Sequence, residues 1–451
     1  MHLLLADSGG LAIFVQQLLN GLTTGTLFAL IAIGYTMVYG IIELINFAHG
    51  DLFMLGAFLA LTLMVSMGLA GPVVIAIPLS VAIFASAPMF VAAYGVGGRR
   101  LQRVVPGPSW VAGLAPAIAA AAVAFVAVKF IGPTVQLFTG SARAVIGAVA
   151  IIGIVGVFCA ALNLTVDKIV YKPLRGAPKL TPLVSAIGVS FVFMGVGQLW
   201  KGVADINFPD LVPSENLFAK PGLGTELKGV TVEQEAKGFK RGDTITKVND
   251  APVTEASIAG IVAAQRVNAD VAVVVDRGGT PETLKLTIAD AAPIRFTWKD
   301  LLVLLLTLPI MAGLTLFVKY TKLGKAMRAT AQNPTAARLM GIDVDRVIGA
   351  TFLIGGSLAG AASVIYGLSI NTVSFQMGYQ NGLYAFTAAV LGGIGNLPGA
   401  MLGGILIGLI RSLGSQYVGE KWTSALVFAI LIVILVFRPS GLLGARTREK
   451  V

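Results

Sequence analysis

Gly34-Tyr-Thr-Met-Val-Tyr-Gly-Ile-Ile-Glu-Leu-Ile-Asn-Phe-Ala-His-Gly-Asp51 runs straight from one long apolar stretch into the next. It carries Glu43, Asn46, His49 and Asp51 at or near membrane depth. Polar groups there are costly and face a cavity or a partner. Non-helical backbone there is tolerated only where protein or a water-filled path covers it. Two readings are open. The stretch is a broken region lining a substrate path, or it is a cytoplasmic turn in which His49 and Asp51 cap the helix that starts at 51. Both belong to a polytopic membrane protein, and the composition agrees. Of the 451 residues, 56% are hydrophobic and 12% charged, with a mean hydropathy of +0.85. A soluble domain is about 25% charged. A water-soluble enzyme, a disordered chain and a coiled coil are excluded. So is a collagen-like fibre, because the 54 glycines show no three-residue period.

Working outward, a spanning helix needs about 20 apolar residues. Candidate spans are 12–38, 51–68, 73–95, 109–130, 144–164, 181–200, 299–319, 347–367 and 422–438. The stretch 383–412 is apolar throughout, but Gly395-Asn-Leu-Pro-Gly399 breaks it, because Pro lacks a backbone donor and Gly permits a turn. It reads as two short segments or a re-entrant hairpin. The expected fold is all-α and polytopic, with about eleven membrane segments, some short or broken, and a small α+β insert. Outside 201–300 there are 21 Lys and Arg, and 17 of them fall in four places. These are Arg99, Arg100 and Arg103; Lys168, Lys172, Arg175 and Lys179; Lys319, Lys322, Lys325, Arg328, Arg338 and Arg346; and Arg438, Arg446, Arg448 and Lys450. Alternating spans put all four on one side, which the positive-inside rule makes cytoplasmic. The N-terminus is then outside and the C-terminus cytoplasmic. The net charge of +11 thus reads as membrane orientation, with lipid and not nucleic acid as the partner. The N-terminus shows no basic region and no small-residue cleavage site, so no cleaved signal peptide is expected. One cysteine, Cys159, and two histidines, His2 and His49, exclude a disulfide framework and a cysteine-based or paired-histidine metal site.

The expected division is an N-terminal membrane part at 1–200, an extracytoplasmic insert at 201–298, and a C-terminal membrane part at 299–451 with a cytoplasmic loop at 320–346. Residues 201–300 hold 12 basic and 14 acidic residues, unlike the rest. Within them, Gly238–Val253 alternates apolar and polar residues as half-buried strands do, with a turn at Asn249-Asp250. A helix-like stretch at about 256–266 and strands at 270–279 and 282–288 follow. Over about 228–290 this order resembles a bacterial PDZ domain, carried by Gly-Phe-Lys-Arg-Gly-Asp-x-Ile-x-x-Val-Asn at 238–249. Gly222-Leu-Gly224 is a weak candidate for its carboxylate-binding loop. Such a groove would take an extended peptide or protein ligand as an added strand; the alternative is a stabilising or docking domain.

Two further stretches carry candidate function. In the loop after 319, Asn333 suits an N-cap, Pro334 the first helical turn and Gly341 the C′ position. Ala336, Ala337, Leu339 and Met340 give this short helix an apolar surface beside the polar Arg338. A helix that short is marginal alone, so it is expected to dock against something. Gly392–Gly404 holds Gly393, Gly395, Asn396 and Pro398. Small residues allow close helix approach, and paired short helices can aim their ends at a solute; tight packing without a ligand is the other reading. Phe53-Met-Leu-Gly-Ala57 and Ala400-Met-Leu-Gly-Gly404 follow the two breaks at similar offsets, hinting at an internal repeat.

These stretches, with Tyr171-Lys-Pro-Leu-Arg-Gly-Ala177, Ala186-Ile-Gly-Val-Ser190 and Phe437-Arg-Pro-Ser-Gly-Leu-Leu-Gly444, resemble the Liv-type permease subunits of branched-chain amino acid ABC transporters. Ile45-Asn-Phe-Ala-His-Gly50 carries much of the likeness. The extra spans in 72–143 and the insert lie outside it. The resemblance implies half of a membrane pathway, completed by a second permease subunit, two ABC ATPase subunits and an extracytoplasmic substrate-binding protein in a bacterial inner membrane. It implies a coupling loop at about 322–342, with Gly324, Arg328, Asn333, Pro334, Ala337, Arg338, Leu339 and Gly341 against an ATPase. The substrate-pathway candidates are Asn46, His49, Asp51, Gly393, Gly395, Asn396 and Pro398. No cofactor is expected on this chain, which lacks a phosphate loop; ATP and Mg would be used by the partner ATPases. It is expected to be no enzyme. Urea or short amides are alternative substrates. An ATPase-independent secondary transporter or channel is a second alternative, weakened by the few charges that could pair across the spans. A metalloprotease would need His-Glu-x-x-His, which is absent.

Overall fold

A computed structural model describes residues 8–44, 46–66, 140–178, 180–209, 212, 214–223, 227–228, 230–232, 238–249, 251–267, 269–290, 292–438 and 440–444. The expected spans at 73–95 and 109–130, the basic residues Arg99, Arg100, Arg103, Lys179, Arg446, Arg448 and Lys450, and also His2, Gly224 and Asp250, lie outside the described residues.

In chain order the first helices are α1 (Ser8–Ile42), α2 (Ala48–Ser66) and α3 (Gly140–Val166). A π-helical turn Asp167–Tyr171 and a single turn Lys172–Leu174 lead to α4 (Leu180–Lys201). Then come strands β1 (Ile206–Asn207), β2 (Pro221–Gly222), β3 (Leu227–Lys228), β4 (Thr231–Val232), β5 (Thr244–Val248) and β6 (Ala251–Pro252). Helix α5 (Ile258–Ala263) precedes β7 (Asp270–Arg277), β8 (Thr280–Thr287) and β9 (Ala289–Asp290). The rest is α6 (Trp298–Tyr320), α7 (Lys322–Gln332), α8 (Pro334–Leu339), α9 (Val344–Ile370), β10 (Thr372–Val373), α10 (Met377–Gly392), α11 (Leu397–Tyr417) and α12 (Glu420–Phe437). Contacts divide the chain into two units, residues 1–19 with 213–301, and 20–212 with 302–451.

The larger unit is a mostly helical membrane body. Among the described residues, eight helices are long and apolar enough to cross a membrane. The expected short pair at 383–412 is one short helix and one full-length one. α10 has 16 residues and begins at Met377, while α11 has 21 and runs on to Tyr417. Backbone approach between helices rests on glycine. A Cβ at Gly356 of α9 would collide with the backbone of Cys159 and Ala160 on α3, and one at Gly408 of α11 with Gly25 of α1. β1 and β10 pair antiparallel in this unit, so residues 206–207, grouped with the insert on sequence grounds, fall in the membrane body.

The smaller unit has its own apolar core, including Val232, Phe239, Ile245, Val248, Val273 and Val275. Its sheet runs β3-β4-β5-β7-β8, with β6 on β5. Gly278 and Gly279 both take positive φ (61° and 89°) between paired Arg277 and Thr280, as a two-residue hairpin turn requires. β8 consequently starts at Thr280, two residues before the expected strand. Asn249 takes φ 46° between paired Val248 and Ala251. Arg277 clamps this unit: Nε and Nη2 donate to the buried Asp243 at 2.9 and 2.7 Å, Nη2 also reaches the Gly238 carbonyl, and Nη1 bonds Glu282.

Two outcomes follow. Gly356→Val should lower the melting midpoint of the detergent-solubilised protein, at an overpacking cost of about 1–3 kcal/mol. Gly153→Ala, where a Cβ meets nothing within 4 Å, should leave it unchanged. The Arg277 hydrogen bonds hold the Asp243 carboxyl below its usual range. The pair therefore stabilises the fold above about pH 4, and that contribution fades as acid takes the pH down through the lowered pKa. Hydrogen-exchange protection of 238–249 should show this acid loss, and Arg277→Gln should lower protection at neutral pH and flatten the acid dependence.

Candidate functional site

α1 ends where Glu43 turns to φ 54°, and α2 begins only at Ala48. The interruption is held by side chains. The Asn46 amide donates to Asn163 Oδ1 of α3 at 3.0 Å, and Asn163 Nδ2 donates to the Phe352 carbonyl of α9 at 2.7 Å. Tyr171 donates to Asn46 Oδ1 at 3.2 Å. Asn46 thus ties the broken backbone to α3 and, through Asn163, to α9. His49 is also enclosed. Its ring lies against Gly34, where a Cβ would collide with it, and 4.7 Å from the Tyr35 ring. Neither ring nitrogen makes a well-formed hydrogen bond.

Asp51, one turn into α2, is different. It lies on the wall of a cavity of about 660 Å³ bounded by α1, the 47–51 segment, α4 and the start of α10. Ser190 donates to Asp51 Oδ2. Tyr35, Gln376, Tyr379 and Gln380 supply further polar groups, and Phe47, Phe191, Phe375 and Phe386 supply aromatic surface. The wall can form because α2 and α10 approach through glycine: a Cβ on Gly50 would lie 2.5 Å from the Gly378 carbonyl and 3.0 Å from the Gly382 Cα. Phe191 and Tyr379 are exposed, so the cavity opens at the side of this unit.

Gly393, Gly395, Asn396 and Pro398 do not line that cavity. The chain returns at Ser440–Gly444 to meet this second break. Leu442 and Leu443 donate to the Leu391 and Gly392 carbonyls at 2.9 and 3.0 Å. Asn396 donates to the Leu443 carbonyl at 2.6 Å and caps α11 through Gly399 N–H at 3.1 Å. Pro398 sits in the first turn of α11, and Gly393 takes φ 106°. Gly395 instead joins Arg328 in a small cavity of about 70 Å³, between the ends of α1, α6, α7 and α11.

The loop between α6 and α9 is built from caps. Thr321 accepts from Gly324 N–H at 3.0 Å, and Gly324 is buried so tightly on the Val318 backbone that a Cβ would not fit. Asn333 ends α7 and caps α8 by accepting from Ala336 N–H at 3.0 Å. Gly341 at φ 84° closes α8, with Gly341 N–H on the Arg338 carbonyl and Ile342 N–H on that of Ala337, the Schellman arrangement. Ala337 is buried, whereas Leu339 and Met340 are 84% and 83% exposed. Arg338 stands 4.0 Å from Asp345, which Lys172 and Arg175 hold at 2.9 and 2.7 Å; Arg175 also pairs with Asp167 at 2.7 Å.

A family model described as the permease component of branched-chain amino acid transport systems matches residues 17–103 and 111–436. The chain belongs to this family. It is 30% identical over 442 residues to the high-affinity branched-chain amino acid transport system permease protein BraD of Pseudomonas aeruginosa, covering 97% of this chain and 98% of that one. It is 28% identical over 438 residues to the Escherichia coli permease protein LivH, covering 97% and 98%. A probable LivH of Methanocaldococcus jannaschii matches at 32% over 142 residues, 30% of this chain and 45% of that one. No solved structure matches. The bounds of the family match enclose 201–298 and most of 72–143. As a multi-pass permease component the chain is not itself catalytic.

Sequence reasoning passed over several residues of this permease that the structure brings forward. Ser190 and Arg175 enter the sequence reading only as members of the 186–190 and 171–177 motifs, with no partner assigned. Asn163 is a lone amide in α3, and Asp167 and Asp345 are acids beside basic clusters. Asn163→Ala would strand the Asn46 amide, at about 1–3 kcal/mol, and remove a second bond to the Phe352 carbonyl. It should lower the melting midpoint of the solubilised permease more than Tyr171→Phe, which removes one hydroxyl.

Proposed function

We propose that this chain is one membrane half of an ABC importer for branched-chain amino acids in a bacterial inner membrane. The observation that carries this reading is α8. It is a helix of six residues, capped at both ends, that buries Ala337 and presents Leu339 and Met340 outward. Exposed apolar side chains on so short a helix call for a partner, and in this family the partner is an ATPase subunit. Two ATPases hold ATP and its magnesium ion and push α8; Gly324 and Arg328 seat α7 beneath it. A second permease subunit closes the open side of the cavity at Asp51, and an extracytoplasmic binding protein delivers the solute. The cycle is alternating access, with no covalent chemistry on this chain. Asn46 and His49 act by shaping the break before α2, and Gly393, Gly395, Asn396 and Pro398 by fixing the α10–α11 joint beside the motor.

The N-terminus and the insert are extracytoplasmic and the C-terminus cytoplasmic, a reading that the four basic clusters support. The insert is a PDZ-like module; the order β5, β6, α5, β7, β8 supports this reading. An amino acid is favoured over urea or a short amide because the cavity wall combines one carboxylate with four phenylalanines.

Arg338→Glu and Leu339→Asp should each abolish co-purification of the ATPases and solute uptake while the permease stays in the membrane; normal uptake in both would reject the docking role. A cysteine replacing Lys247 should react with an impermeant maleimide in intact cells. Reaction only after lysis would invert the topology.

A further inference from the structure

The cavity holds a carboxylate that the chain does not neutralise. Asp51 is 1% exposed. Its Oδ2 takes the Ser190 hydroxyl, and its Oδ1 has no hydrogen-bond partner. Among the described residues no lysine or arginine pairs with it. A buried carboxylate so poorly met costs several kcal/mol unless a cation or a proton joins it. Among the described residues the other buried carboxylates are met: Asp243 by Arg277, and Asp167 by Arg175. Asp51 alone among these three borders a cavity large enough for a solute, within the usual range of about 300–1,000 Å³ for ligand sites.

Position and surroundings narrow the cation. Asp51 stands in the first turn of α2 and meets Ser190 halfway along α4. Phe47, Phe375 and Phe386 line the same cavity, a surface for an apolar group and not for a hydrated metal ion. The N-terminus of α10 borders it too, with no side chain capping it, and the positive end of a helix favours an anionic group on the same solute. A zwitterion with an apolar side chain satisfies all three features.

We infer that Asp51, oriented by Ser190, is the subsite for the α-ammonium group of the transported amino acid, with the aromatic wall taking the side chain. This deepens the amino acid permease reading and rests on it. An ammonium donates up to three charge-assisted hydrogen bonds, and one of them completes Asp51 Oδ1.

The test uses the complete transport complex, purified and reconstituted, with three small probes. Leucine carries both charges, 3-methylbutylamine keeps the ammonium without the carboxylate, and 4-methylpentanoate keeps the carboxylate without the ammonium. In the absence of the binding protein, leucine and the amine should raise the melting midpoint of the wild-type complex and 4-methylpentanoate should not. Asp51→Asn should weaken protection by the amine at least ten-fold and cut ATP-driven leucine uptake by a similar factor. Ser190→Ala should weaken both several-fold, and Asp51→Glu should retain part of each. If Asp51→Asn fails to assemble, the Ser190→Ala and Asp51→Glu arms carry the comparison. Undiminished amine protection in the variants, or equal protection by 4-methylpentanoate, would overturn the subsite. Amine protection that depends on Asp51 in a complex that does not take up leucine would uphold the cation subsite and overturn the substrate reading instead.

Discussion

Every backbone N–H and C=O inside a bilayer needs a partner from the protein itself, and this chain breaks two helices within its membrane body. At each break an asparagine side chain ties the chain to a neighbouring element. At the first, Asn46 bridges to Asn163 and Tyr171, which fixes where α2 begins. At the second, Leu442 and Leu443 N–H satisfy the Leu391 and Gly392 carbonyls at the end of α10, and Asn396 holds this returning segment through the Leu443 carbonyl. The first repair has a geometric consequence. Starting α2 at Ala48 sets Gly50 against Gly378 and Gly382, and that contact turns the next residue, Asp51, onto a cavity wall while His49 is shut inside. The polar chemistry of the site is thus a product of how the break is closed.

The local features of this arrangement are legible in the sequence, and the long-range ones are not. Apolar runs mark the described spans, and the Asn333, Pro334 and Gly341 triplet marks α8 because caps and positive-φ glycines act within a few residues. The same holds for the Gly278-Gly279 turn and the Asn396-Leu-Pro break. What escapes is pairing at distance. Nothing around Asn46 indicates that its partner is Asn163, or that Ser190 rather than His49 serves Asp51. α10 shows a subtler failure. Its first turns carry Gly378, Asn381 and Gly382, which lower its apolarity, so a hydropathy reading starts it at 383. Those residues are buried against protein, where small size and internal hydrogen bonds such as Asn381 to the Met377 carbonyl matter more than affinity for lipid. Of the seven pathway candidates, Asp51 is the one that lines the cavity of about 660 Å³, and Asn46 and Asn396 bond across helix ends.

The same joints define what a push at α8 would meet. Arg338 approaches Asp345 at the start of α9, and Asp345 is gripped by Lys172 and Arg175 just beyond α3. α3 and α9 are also the helices that hold Asn46, through Asn163 and Phe352. Both ends of this path therefore bear on one pair of helices, joined along glycines Gly356 and Gly360 that leave no room for a gradual shift. Spatial contiguity alone does not establish coupling; a two-state element does. The α3–α9 pair has the character such an element needs. Elements fitted this closely resist continuous deformation. The pair carries the anchor of the break on which the Asp51 cavity depends.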